Sequence, residues 1–113
     1  MKQVSKISNT ELMEMAGKMY GGLVKAVVDV KKGLLVVDAE LHADQEAYLI
    51  ENGSAQQDLW GINLYPEKFG QDDFIEFDSM INIRPSQKNM SRDVDDQSVR
   101  NRIIKIVQDK VSK

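Results

Sequence analysis

Hydrophobic residues recur along this chain at two spacings, one typical of helices and the other typical of strands. After Ser8 the apolar residues follow helical spacing, and Ser8 forms a capping box with Glu11, which predicts a first helix that ends at Gly21. Apolar and polar residues alternate instead on both sides of Gly33, so residues 23–41 are predicted to form a β-hairpin.

The second half of the chain repeats this change of spacing. A second helix is predicted over residues 43–52, a third from Asp95 or Asp96 onwards, and strands near 58–65 and 73–84. Alternation is most regular in the last strand, whose predicted core-facing residues are Ile75, Phe77, Ser79, Ile81 and Ile83.

Together with a short first strand over residues 3–7, these elements follow the order (β)αββαββα. The hairpins imply a mainly antiparallel sheet of four to five strands, with about three helices on its apolar face and solvent on the other. A hydrophobic fraction of 42% and a charged fraction of 29% suit a folded protein. The sequence therefore predicts a two-layer α+β fold, in a single domain over residues 1–113.

Composition excludes several classes of function. The chain has no cysteine, which excludes disulfides, cysteine-bound metal centres and a thiol nucleophile. It has no P-loop or dinucleotide-binding pattern, so no motif indicates a cofactor. It also lacks an apolar signal segment and an apolar run of about 20 residues, so we expect a soluble, cytoplasmic protein without membrane contact. A pI of about 5.1 argues against nucleic acid as a partner.

Acidic residues are concentrated in the middle of the chain. Eleven acids lie between Asp38 and Arg84, opposed only by Lys68 and Arg84, and this block holds the single histidine, His42. Strand alternation places one polar set on the non-core face of the sheet: Lys25, Asp29, Asp38, Glu40, Glu76, Asp78, Asn82 and Arg84. Neighbouring carboxylates can share a proton or recruit a cation there, although an ordinary solvated face is the favoured alternative.

A second candidate site is the run Glu40-x-His42-x-Asp44-x-Glu46. His42 and Asp44 can supply two ligands to a divalent metal, with Asp78 as a third ligand from elsewhere. The run lacks paired histidines, and the favoured alternative is a hydrogen-bonding histidine near a helix start.

The third candidate is the loop over residues 84–92. Arg84, Asn89, Ser91 and Arg92 offer the donors that bind phosphate or carboxylate, close to the start of the third helix. The favoured alternative is a solvated connection.

Four blocks of sequence resemble a small prokaryotic family that is catalogued only as a domain of unknown function. The blocks are residues 24–30 (VKAVVDV), 40–44 (ELHAD), 58–66 (DLWGINLYP) and 74–85 (FIEFDSMINIRP). The resemblance covers nearly the whole chain and implies a stand-alone single-domain protein, without an activity or a cofactor. Members have a glycine near the position of Asp38. This difference argues against Asp38 as part of a shared site. The remaining candidates are Glu40, His42, Asp44, Asn63, Asp78, Asn82 and Arg84.

Three hypotheses about function follow. The preferred one is a non-catalytic binding or regulatory module for a small anion, held on the polar sheet face by Arg84, Asn82, Asn63, Asn89, Ser91 and Arg92. The alternative is a small acid–base or metal-assisted, hydrolase-like enzyme, with Asp78 or Glu40 as the base and His42 as ligand or proton donor. Arg84 would anchor its substrate. The third is a protein–protein module, such as a homodimer through an open sheet edge.

Overall fold

The computed structural model of the chain describes the backbone of residues 1–113 and every side chain except that of Tyr20. The three helices are α1 (Asn9–Ala16), α2 (His42–Glu51) and α3 (Gln97–Lys110). The strands are β1 (Lys2–Val4), β2 (Ile7–Ser8), β3 (Val24–Asp29), β4 (Leu34–Val37), β5 (Leu59–Leu64), β6 (Ile75–Glu76) and β7 (Val111–Ser112).

Five strands form one antiparallel sheet in the order β1-β4-β3-β5-β6. The other two, β2 and β7, pair in parallel and join the two ends of the chain. The predicted α+β class and the mainly antiparallel sheet are thus confirmed.

The sheet is covered on both faces, so the expected two-layer arrangement was wrong. On one face α1 and α3 pack on a core that includes Ala26 and Ile62. On the other face Leu49 of α2 packs with Val27 and Val36. Because β3 and β4 carry valine on both faces, neither face can be left to water without a large loss of hydrophobic burial.

The long strand predicted over residues 73–84 is interrupted. Only Ile75–Glu76 pairs with β5, and a 3₁₀ turn forms at Met80–Asn82. Phe77 packs on the core under α1 and α3, whereas Ile81 packs on the cluster under α2. The segment therefore crosses from one side of the sheet to the other, which one continuous strand with these residues on one face cannot do.

The side chain of Asn82 explains why the backbone hydrogen bonding between β5 and β6 stops after two residues. Its Oδ1 accepts a hydrogen bond from the N–H of Gly61 at 2.8 Å, and its Nδ2 donates to the carbonyl of Gly61 at 2.9 Å. One side-chain amide thus satisfies the backbone groups that a longer β6 would have paired.

The predicted helix starts agree with the structure at two caps. Ser8 Oγ accepts a hydrogen bond from the N–H of Glu11 at 3.1 Å, although α1 ends at Ala16, earlier than expected. Asp96 caps α3 by accepting from the N–H of Ser98 at 2.8 Å. No helix among the described residues combines the length and the apolar character needed to cross a membrane.

The edges of the large sheet are short. β1 has three residues and β6 has two. A homodimer through a sheet edge stays a prediction, and these strands would offer it few free backbone groups.

Candidate functional site

A cavity of about 190 Å³ lies at the start of α2, over the face of the sheet that α2 covers. We call it the α2 cavity. Its lining residues are Lys25, Leu41, His42, Ala43, Asn63, Asp78, Ser79, Met80, Ile81 and Arg92. The sheet, the helix start and the segment after β6 thus meet around one space.

Gly61 is the residue that allows these parts to approach the sheet. A Cβ atom at this position would lie 2.6 Å from both Cβ and Oγ of Ser79, and 3.2 Å from Cδ2 of His42. Real Cβ atoms almost never come within 3.0 Å of another heavy atom. Ser79 and His42 can therefore lie over β5 only because Gly61 has no side chain.

His42 is the first residue of α2 and is 8% exposed. Its Nε2–H donates a hydrogen bond to the carbonyl of Ile62 at 2.7 Å, which leaves Nδ1 as the acceptor nitrogen of the neutral ring. Burial lowers the pKa of His42 below its usual value, and the positive charges of Lys25 and Arg92 act in the same direction. The Ile62 bond and Asp78 only partly oppose this shift.

The start of α2 leaves backbone donors free. The N-cap position is held by Leu41, whose side chain makes no capping hydrogen bond. The N–H groups of His42 and Ala43 find no acceptor within the described part of the chain, whereas the N–H of Asp44 donates to Leu41 O at 3.2 Å. Free N–H groups and the helix dipole together favour an anion at this end of the helix.

The α2 cavity also has a net positive lining. Lys25 is half-buried and forms no salt bridge with any side chain that the structure describes. Arg92 Nε and Asp78 Oδ1 are 2.5 Å apart and neutralise each other. With His42 neutral, the charge that remains among the lining residues is the single positive charge of Lys25.

Asn63 lies beside Lys25 in the sheet, because the two are register partners on β5 and β3. Its Nδ2 donates to Glu76 Oε1 at 2.8 Å and to the carbonyl of Asp78 at 3.3 Å. The side chain is only 6% exposed, and its Oδ1 is buried without a hydrogen-bond partner. Four other buried side-chain atoms also lack a partner among the described residues, so this oxygen is not exceptional: Asn9 Oδ1, Gln45 Oε1, Glu46 Oε2 and Arg84 Nε.

The predicted site residues thus fall into two groups. His42, Asn63, Asp78 and Arg92 come together at the α2 cavity, whereas the exposed Glu40 does not line it. Asp44 is exposed in the first turn of α2 and also does not line the cavity. Among the described side chains, no group of three or more His, Asp or Glu is arranged to hold a metal ion. The predicted metal ligands His42, Asp44 and Asp78 therefore do not form such a group.

Arg84 lies away from this cavity and is buried. Its guanidinium donates to the carbonyls of Gln56 (2.5 Å) and Leu59 and lies 4.0 Å above the ring centroid of Trp60. Burial lowers its pKa, and the nearby Glu46 partly opposes this. Through these contacts Arg84 holds the start of β5 in place, and its guanidinium is not offered to a ligand in the α2 cavity.

The remaining loop residues have similar structural contacts. Asn89 donates to three backbone carbonyls and accepts from the N–H of Asp95 at 2.8 Å. Asn82 uses its amide on Gly61, as described above, and also donates to the carbonyl of Arg92. Ser91 is exposed and hydrogen-bonds to Asp95 at 3.1 Å. The loop over residues 84–92 is therefore held in place by hydrogen bonds, and Arg92 is its only residue that lines the α2 cavity.

A larger cavity of about 330 Å³ lies elsewhere, between α3 and residues 69–77. Its lining is mostly apolar: Phe69, Phe74, Ile75, Phe77, Ile104, Val107 and Val111, with Gly70, Gln71, Asp72 and Gln108. No predicted site residue lines it. The smaller α2 cavity therefore carries the candidate chemistry.

Sequence reasoning missed two parts of the site. Lys25 was placed on the polar face but not in a site, and Ser79 was expected in the core. Leu41 at the cap position and Gly61 inside a strand were the available signals, since each breaks a local preference of its element.

Comparison with known proteins assigns the chain to a family. It matches no curated protein and no solved structure at significant similarity. The family model described as "Protein of unknown function (DUF5674)" matches residues 3–110. The chain therefore belongs to that family.

Proposed function

We propose that this protein binds a small carboxylate, or another anion of single charge, in the α2 cavity. The observation that carries the proposal is Lys25, a half-buried cation without a salt bridge among the described side chains, in the same cavity as the free helix start. A half-buried cation that lines a cavity without an acidic partner can form a charge-assisted hydrogen bond to an anionic ligand.

Charge and size limit the ligand. The lining has one uncompensated positive charge, so a monoanion balances it and a phosphate dianion does not. A cavity of about 190 Å³ has the volume of roughly six water molecules. Drug-sized ligands use about 300–1,000 Å³, so the expected ligand has only a few heavy atoms.

Titration calorimetry with propionate and with inorganic phosphate at pH 7.5 tests this proposal. We expect propionate to bind, and Lys25→Met to weaken it by about tenfold or more, because a hydrogen bond to a charged group is lost. Lys105→Met is the matched control, since Lys105 is exposed on α3 and pairs with Asp109. Absence of propionate binding, or equal affinity in Lys25→Met, would reject the proposal.

One observation favours a second candidate, acid–base catalysis on the bound molecule. His42 and Asp78 line the same cavity, and a neutral imidazole with a free Nδ1 can accept a proton. An enzyme of this kind would exchange the methyl protons of pyruvate, a small carboxylate whose neighbouring ketone makes them acidic, with D₂O, which proton NMR detects. His42→Gln should abolish the exchange and Lys105→Met should retain it. An exchange rate equal to that of buffer alone would remove this candidate.

A further inference from the structure

We infer that the anion of the α2 cavity is a short aliphatic monocarboxylate, whose hydrocarbon tail lies between Leu41 and Met80 at the mouth. This inference rests on the proposed function and narrows it from small anions in general to one chemical class. The observation behind it is that two large apolar side chains line the cavity and are still mostly exposed. Leu41 is 55% exposed and Met80 is 65% exposed.

These two side chains differ in position from the other exposed apolar residues. The other large hydrophobic side chains that are exposed line neither the α2 cavity nor the larger cavity beside α3. Leu41 directly precedes the buried His42, and Met80 directly follows the buried Ser79. At both places the polar residue lies inside and its apolar neighbour lies at the surface. The α2 cavity therefore has a polar interior and an apolar mouth.

The charges around the cavity fix the direction of the ligand. Lys25 is the one lining charge without a salt bridge among the described side chains, so the carboxylate belongs beside it. Arg92 and Asp78 neutralise each other and leave no free charge for a second carboxylate. The far end of the ligand thus meets apolar side chains, which favours a hydrocarbon tail over a charged one.

The volume of the cavity fixes the length at which the tail meets the mouth. A space of roughly six water molecules holds a carboxylate about the size of butyrate, so a longer tail extends to Leu41 and Met80. Complete burial of a CH₂ group strengthens binding by about fourfold, and contact at an open mouth gives less. We expect about two- to fourfold tighter binding for each added CH₂ group.

Titration calorimetry on the full chain at pH 7.5 compares acetate, valerate and 4-hydroxybutyrate. Valerate extends acetate by three CH₂ groups, and 4-hydroxybutyrate has the length of valerate with a hydroxyl in place of the last methyl. Valerate should bind about tenfold or more tightly than acetate, and about fourfold or more tightly than 4-hydroxybutyrate. The second comparison separates an apolar mouth from a simple preference for longer molecules.

Two exposed methionines provide a variant and its matched control. Met80→Gln keeps the length of the side chain and removes its apolar end, so it should lower the affinity ratio of valerate to acetate by about threefold or more. Its affinity for acetate should stay that of wild type, which also shows that the variant is folded. Met90→Gln should keep the wild-type ratio, because Met90 is 68% exposed and does not line the cavity.

The outcomes distinguish this inference from the proposed function. If acetate and valerate bind wild-type protein equally, or if Met80→Gln leaves their ratio unchanged, the apolar tail is wrong and anion binding stands. Lys25→Met should weaken both molecules by the same factor, because Lys25 contacts only the carboxylate. If no carboxylate binds, both ideas fail.

Discussion

Replacing Gly61 by alanine tests the packing that creates the α2 cavity. The new methyl group would lie 2.6 Å from both Cβ and Oγ of Ser79. Rotating the Ser79 side chain moves Oγ but leaves Cβ in place, so the backbone must shift. That backbone is held by a 3.0 Å hydrogen bond from Ser79 N–H to Arg92 O and by the two bonds between Asn82 and Gly61.

The magnitude follows from these contacts. Inserting a methyl group into a packed site costs about 1–3 kcal/mol. If residues 79–82 move away, each of the two Asn82 hydrogen bonds to Gly61 adds about 0.5–1.5 kcal/mol. We therefore expect Gly61→Ala to lower the free energy of unfolding by about 2–6 kcal/mol.

Urea denaturation followed by circular dichroism measures this change. Gly17→Ala is the matched control, because Gly17 has a helical φ of −64° and a Cβ there would meet its nearest atoms at 3.5 and 3.6 Å. The control should stay within about 0.5 kcal/mol of wild type or be slightly more stable. An equally small change in Gly61→Ala would refute the packing argument.

Three further predictions concern His42, Asp38 and Arg84. His42 is the only histidine, so it gives a single NMR titration, whose midpoint we expect below the usual pKa of 6.5. Just below pH 6.5 only the unfolded state takes up the proton, so the free energy of unfolding should fall there; a midpoint at or above 6.5 would contradict this. Asp38 has a left-handed φ of 66°, so Asp38→Gly should stabilise the fold by about 0.5–1 kcal/mol in urea melts and Asp38→Ala should not. Arg84→Lys should destabilise the fold by about 1.5–3 kcal/mol, the range for one lost hydrogen bond to a charged group, because a lysine cannot bond both carbonyls and stack on Trp60 together. Unchanged thermal unfolding would refute that role.

The sequence predicted the parts of the fold that depend on local periodicity and capping. Ser8 and Asp96 are found at the predicted helix starts, and the hairpin around Gly33 pairs as expected. The prediction for residues 73–84 was wrong because alternation alone cannot report which core each side chain enters. Phe77 and Ile81 fit one strand face in sequence, but they enter cores on opposite sides of the sheet.

Asp38 lies in a backbone conformation that the sequence pattern did not indicate. A φ of 66° is easy for glycine and strained for most other residues, and aspartate is among the few that tolerate it. Asp38 is exposed and does not line the α2 cavity.

By itself, the sequence determined the helix starts, the hairpin, the α+β class and the set of polar residues from which a site could be built. Only the tertiary structure decided which of them meet. Hydrogen bonds to backbone groups, which the local pattern does not reveal, occupy the side chains of Asn82, Arg84 and Asn89. The α2 cavity, in contrast, brings together His42, Asn63, Asp78 and Lys25. The physical reason is that hydrophobic periodicity is local, whereas a buried polar group takes its role from partners distant in the chain.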